Sequence, residues 1–251
     1  MTTTATAPRL ADLGGLPFLD DGFAARRLLS IAAAVRYSAA CQRGLVSGVS
    51  SLDAEAWLGP TRALALMSTN TTPMPALPLT TARRKQLADT LADLAASRPP
   101  WRLPLALPVR YAQLYPAGGA ISASSRDWPQ HVLLAKEAFG TSRELAEQVM
   151  HELAHQWLYL IEDIWPLQLP GAATLTLPSG TRGRSPAEVL GAAHVAAVLI
   201  RLYQQAATGW AAGRIRALAA YGTGCLDLAV SASEELTEAG ILIAQQLKEA
   251  F

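Results

Sequence analysis

The sequence predicts a mainly α fold, α+β at most, and three observations carry that reading. Hydrophobic residues make up 51% of the chain and charged residues 16%, the profile of a protein with a large core rather than of a disordered one. Apolar residues recur at helical spacing in Ala-rich segments on both sides of the chain's middle. No βαβ alternation and no glycine-rich phosphate loop is present, which disfavours the nucleotide-binding folds. At 251 residues the chain has ample length for one large core. We read residues 1–16, rich in Thr, Ala and Gly, as a flexible arm and 17–251 as a single helical domain.

Taken in order, 21–47 places Phe23, Leu28, Ile31 and Val35 at helical spacing, and a short helix is expected over 52–67. STNTTPMPALPLTT (68–81) reads as a loop, followed by a helix over 81–97 that breaks at SRPP. The segment 101–122 carries Pro104, Pro108 and Pro116, too many for a helix and suited to extended or edge structure. HVLLA (131–135) is a candidate strand. Thr141-Ser142-Arg143-Glu144 fits a capping box, opening a helix that runs to about Asp163 before Trp165-Pro166. The stretch 167–184 is a linker with a possible hairpin. Ser185-Pro186-Ala187-Glu188 is a second capping box with proline at the favoured first position, and its helix extends to about Gln205. Two more helices, near 209–221 and 225–249, close the chain.

A net charge of +1 offers no field for nucleic acid or an anionic membrane. The N-terminus lacks a basic region followed by an apolar core, and VLGAAHVAAVLI (189–200) falls short of the ~20 residues of a spanning helix. Cys41 and Cys225 imply neither a disulfide framework nor a thiolate metal site. The expected location is the cytoplasm.

The chemistry lies in VMHELAHQWLYLIEDIWP (149–166). His151 and His155 are four apart, so on a helix their rings project from one face a turn apart and can reach one ion. Glu152 follows about 100° around the helix, near enough to meet a metal-bound water without being a ligand. Two ordinary core histidines would need partners for their ring nitrogens, and Val149, Leu153, Ala154, Trp157 and Leu158 offer almost none. The metal core is therefore placed within 141–207.

A third ligand must come from elsewhere. Glu162 returns to the same face but lies ~16 Å along the axis from His151, too far to share an ion, and Asp163 fails likewise. Glu188 is explained by its capping box. His194 sits mid-helix among Gly191, Ala192, Ala193, Ala196 and Ala197, small neighbours that allow close approach, and is the favoured third ligand. A core histidine bonded to a carbonyl is the alternative there, and His131 is the reserve.

Two enzyme classes use such a helix. A zinc peptidase would employ Glu152 as general base; Leu158 and Ile161 stand where one large subclass has glycine and histidine, a downstream glutamate would have to be Glu188, and no substrate-binding edge strand is evident. The other class is suggested by resemblance. HELAHQW (151–157), the proline-bearing linker and RGRSPAEVLGAAHVAAVLIRLY (182–203) together resemble a family of HExxH-type peptide-modifying proteins that includes 2-oxoglutarate-dependent peptide β-hydroxylases. The resemblance covers the C-terminal half. It implies Fe(II) held by His151, His155 and His194, with 2-oxoglutarate as cosubstrate and a residue of a peptide or carrier-linked natural-product precursor as the target. An all-histidine set departs from the two-histidine, one-carboxylate arrangement common among such oxygenases, which keeps Glu188 in play. The distal carboxylate of the keto acid then calls for a cation. Arg184 is the first choice and Arg201 the second, ahead of Arg182, Arg214 and Arg216. A structural metal in a binding module is disfavoured, because such sites usually close with four ligands and thiolates are missing.

Overall fold

The computed structural model describes residues 8–46, 53–67, 74–204 and 209–251. Among them the chain is mainly helical with a small four-stranded sheet, as the sequence predicts. The helices are α1 (Ala25–Gln42), α2 (Pro60–Met67), α3 (Thr81–Ser97), α4 (Arg102–Leu105), α5 (Ser142–Glu162), α6 (Pro186–Tyr203), α7 (Gly209–Ser231) and α8 (Glu238–Lys248). The strands are β1 (Ala76–Leu77), β2 (Arg110–Leu114), β3 (Ser122–Ala123) and β4 (His131–Leu134). The first six positions of the loop expected over 68–81 lie outside the described residues, as do the first position of the helix expected over 52–67 and the arm's first seven.

The sheet has the order β1-β2-β4-β3. β2 and β4 pair in parallel, with Arg110 opposite His131, while β3 pairs antiparallel with β4, Ser122 opposite Leu134. All four residues of β4 are buried. Period-two alternation sends Val132 and Leu134 into the main core and Leu133 to a smaller cluster with Ala112 and Leu114. This rigid strand separates α5 from the outer face of the sheet and leaves β3 as an edge beside α5. The proline-bearing segment is thus partly extended, as expected, although it begins with the short helix α4.

α5 and α6 start where their caps require. Thr141 accepts from the Glu144 amide at 3.1 Å, and Glu144 returns to the Thr141 hydroxyl rather than to its amide. At α6 the box is complete: Ser185 accepts from the Glu188 amide, and Glu188 accepts from the Ser185 amide at 2.8 Å. α6 packs against both α5 and α7. By length and composition it is apolar enough to cross a membrane, yet 83% of it is buried inside the protein.

Three expectations change. Residues 8–16 do not form a loose arm, because Leu10, Leu13 and Leu16 are buried in the main core and a 3-10 turn spans Leu10–Leu13. α1 is rolled so that Leu28, Ala32 and Arg36 face inward while Val35 is exposed. The last two helices divide after Ser231, not between 221 and 225. Gly222 and Gly224 look like a break but lie inside α7, where they admit close neighbours. A Cβ on Gly222 would strike the Phe251 ring and sit 3.1 Å from Ala196, and one on Gly224 would lie 2.9 Å from Pro178.

Candidate active site

α5 carries the histidine pair into a cleft of about 870 Å³ between β3, α5, α6 and α7. The ring centroids of His151 and His155 are 5.0 Å apart, as one turn of helix dictates. His155 opens only onto the cleft, and enclosure by protein holds it well below the usual histidine range, followed by repulsion from His151, His194 and Arg184. A neutral imidazole is the form that binds a metal. The Nδ1 edge of His155 rests against Gly191 of α6, where an added Cβ would be 3.5 Å away. Tyr159 continues the stripe one turn further and stacks on His155, with centroids 5.9 Å apart and planes inclined by 15°.

Glu152 is nearly buried, with 3% of its side chain exposed, and its Oε1 lies 4.0 Å from His151 Nε2. Ser122 donates to Oε1 at 2.6 Å and Ser124 to Oε2 at 2.5 Å. Ser122 Oγ also lies 2.7 Å from Gln148 Oε1; a hydroxyl has one proton, so with that proton on Glu152 the Gln148 amide turns its NH₂ to the Ser122 oxygen. The Tyr159 hydroxyl neighbours Ser124; burial and the Glu152 charge raise its pKa, so it remains an O–H donor.

The first turn of α6 contributes Glu188 to the cleft and the residue before its cap contributes Arg184, paired with it at 2.7 Å. Burial pushes the Glu188 carboxyl up, but the Ser185 amide and Arg184 together hold it below the usual range. Two other cleft arginines are paired as well, Arg126 with Glu162 at 2.5 Å and Arg214 with Glu147.

His194 and Arg201 are separated from this group. The His194 ring is fully buried and does not line the cleft; its Nε2 meets the Pro17 carbonyl at 3.0 Å. Burial pushes it down to about 4, against the opposing effect of the Pro17 and Ala154 carbonyls. Arg201 donates to the carbonyls of Phe18, at 2.9 Å, and Leu19, and pairs with Asp21. Both residues therefore fasten the N-terminal segment. His131 is likewise buried away from the cleft, with Nδ1 2.9 Å from the Pro129 carbonyl. Of these two α6 side chains, Glu188 lines the cleft and His194 does not, although His194 is near enough to His155 to act on its charge.

The donor set suits a transition ion at two positions, the imidazoles of His151 and His155. Among the described residues no three His, Cys, Asp or Glu side chains stand close enough to enclose an ion. A third protein ligand from Glu188 requires it to part from Arg184. Sequence reading missed Ser122, Ser124, Arg126 and Tyr159. Tyr159 was available from its spacing, four residues after His155; the serines become partners of Glu152 only through the fold.

The chain matches no protein-family model and no curated protein.

Proposed function

We propose that this chain is an HExxH metalloenzyme that hydroxylates an amino-acid residue of a peptide or carrier-linked natural-product precursor with Fe(II) and 2-oxoglutarate. The observation that carries the reading is the presence in one cleft of two neighbouring imidazoles and the Arg184 guanidinium. His151 and His155 would hold the iron, with Glu188 as the carboxylate that makes a two-histidine, one-carboxylate set. When bound, the iron lets the keto acid and O₂ oxidise an unactivated C–H bond. The overall reaction balances as R–H, 2-oxoglutarate and O₂ giving R–OH, succinate and CO₂.

The chain's own residues supply the rest. Arg184, once released from Glu188, offers a planar fork to the distal carboxylate of the keto acid. Leu158, Val195, Leu199 and Leu218 give the cleft an apolar wall, which would help to keep water from the reacting C–H bond. β3 lies at the sheet edge, and Ala135 donates to Ile121 across the β3–β4 ladder at 2.8 Å. By antiparallel alternation the backbone groups of Ser122 then point outward, available to an extended peptide.

A zinc peptidase is the second reading. It is favoured by Glu188, a carboxylate downstream of the histidine pair that lines the same cleft, and by the same edge strand. One experiment separates the two. The protein is purified anaerobically, its metal is measured, and succinate formation is followed with Fe(II) under air. Iron-dependent succinate that disappears in His151→Ala supports the oxygenase. Zinc-dependent peptide cleavage, lost in Glu152→Gln and unaccompanied by succinate, sinks it.

A further inference from the structure

We infer that Ser122 and Ser124 are positioning residues that lock the Glu152 carboxylate against the edge of the sheet and so set its orientation in the reaction. The inference rests on the metalloenzyme reading of the cleft and adds residues that neither the motif nor the resemblance contains.

The geometry follows from strand and helix periods. Ser122 lies in β3 and Ser124 directly follows that strand, two residues on, so their side chains leave the same face. That face meets α5 at Glu152, one residue round the helix from the His151 stripe. Each serine takes a different oxygen, at 2.6 and 2.5 Å, so the carboxylate is fixed in rotation as well as in place. β3 is itself held in register against the buried strand β4. Among the described residues no lysine or arginine pairs with Glu152, although it is 3% exposed. Two charge-assisted hydrogen bonds are therefore its compensation for burial.

A purely structural clamp and a positioning clamp differ in what they change. A structural one alters stability; a positioning one alters turnover at saturating cosubstrate. One donor on each oxygen occupies one lone pair apiece and leaves the others for a group in the cleft that Glu152 lines. The pair thus keeps the group next to the metal ligands both oriented and accessible.

The test compares wild type with Ser122→Ala, Ser124→Ala, the double variant and the conservative Ser122→Thr and Ser124→Thr. On metal-free protein, the carboxylate stretch of Glu152 is isolated by infrared difference against Glu152→Gln. It is expected to shift in the alanine variants and to stay in place in the threonine ones. With Fe(II), kcat for succinate formation is expected to fall about 10–100-fold in the double variant, with KM for 2-oxoglutarate and Fe(II) affinity little changed and threonine restoring turnover. An unmoved infrared band, an unchanged kcat, or a loss confined to thermal stability overturns the proposal. If wild type forms no succinate, the oxygenase reading fails separately, and the same kcat comparison is made on zinc-dependent peptide cleavage. Absence of both activities overturns the clamp's role as well, since Glu152 would then position nothing.

Discussion

Arg36 Nη2 lies 2.9 Å from Asp163 Oδ2, with the two side chains only 4% and 5% exposed. The pair ties α1 to the C-terminal end of α5, and Arg36 extends the link to Gln130 and to the Trp57 carbonyl. Removing one partner of such a pair strands a buried charge, whereas replacing both with apolar groups does not. Arg36→Met is expected to cost about 3–5 kcal/mol, and Arg36→Met/Asp163→Leu to recover most of it. Denaturant unfolding of the three proteins measures both; a double variant as unstable as the single one contradicts the argument.

The same pair has a pH signature. Burial raises the Asp163 carboxyl above its ordinary value, against the opposing pull of Arg36 and Arg126. Its neighbour Glu162 is also raised by burial, with Arg126 opposing. A carboxyl raised on folding contributes stability below its unfolded pKa and loses that contribution as pH rises through the folded one. Arg36→Met removes the larger opposing pull, so its deficit against wild type should widen as the pH rises from the ordinary carboxylate range toward neutrality. A deficit constant over that range would show that Asp163 does not feel Arg36.

His194 and His155 should separate cleanly by substitution. His194 joins α6 to the Pro17 carbonyl within the core, so His194→Ala is expected to cost about 2–4 kcal/mol of stability by leaving a cavity. Its Co(II) affinity, followed by visible absorption, should match wild type. His155→Ala should abolish Co(II) binding instead. Loss of Co(II) from folded His194→Ala would return that residue to the ligand set.

How much of this was legible depended on the range of the interaction. The His151–Glu152–His155 register is local, set by the helical period and a cap at Thr141, and the structure has it as read. The carbonyl that His194 meets belongs to Pro17, directly after the stretch that composition marks as an arm, and nothing local to α6 points to it. The three leucines Leu10, Leu13 and Leu16, spaced three apart, are the signal that this stretch packs. The division expected between 221 and 225 falls on Gly222 and Gly224, which stay helical, and the Phe251 ring and Pro178 that need the space there are not visible in the local sequence. The serine clamp joins residues some thirty positions apart, which no periodicity reveals.

Gly191 tests the closeness of α5 and α6 at the site. A Cβ there would meet His155 Nδ1 at 3.5 Å, ordinary contact, so Gly191→Ala should fit and gain up to about 1 kcal/mol from helix propensity. Gly191→Leu has no such room beside His155 and Leu158, and should displace the ring and weaken Co(II) binding. Equal Co(II) affinity in the two variants, measured alongside their stability, would mean that the ring does not depend on α6 for its orientation.

Arg184 and Arg201, both raised by sequence as partners for the keto acid, now make opposite predictions. Arg184 lines the cleft and shares Glu188, whereas Arg201 is engaged with Phe18, Leu19 and Asp21. Arg184→Gln loses the fork that a carboxylate needs and should raise KM for 2-oxoglutarate about 10-fold or more, in line with a lost charged hydrogen bond. Arg201→Gln should lower the melting temperature, because it frees the N-terminal segment, and leave KM where it is. The pair of measurements also bears on Glu188: Glu188→Gln should release Arg184 and weaken metal binding together. If Glu188→Gln binds Co(II) as wild type does, the carboxylate serves only as a cap and partner for Arg184, and the ion is held without it.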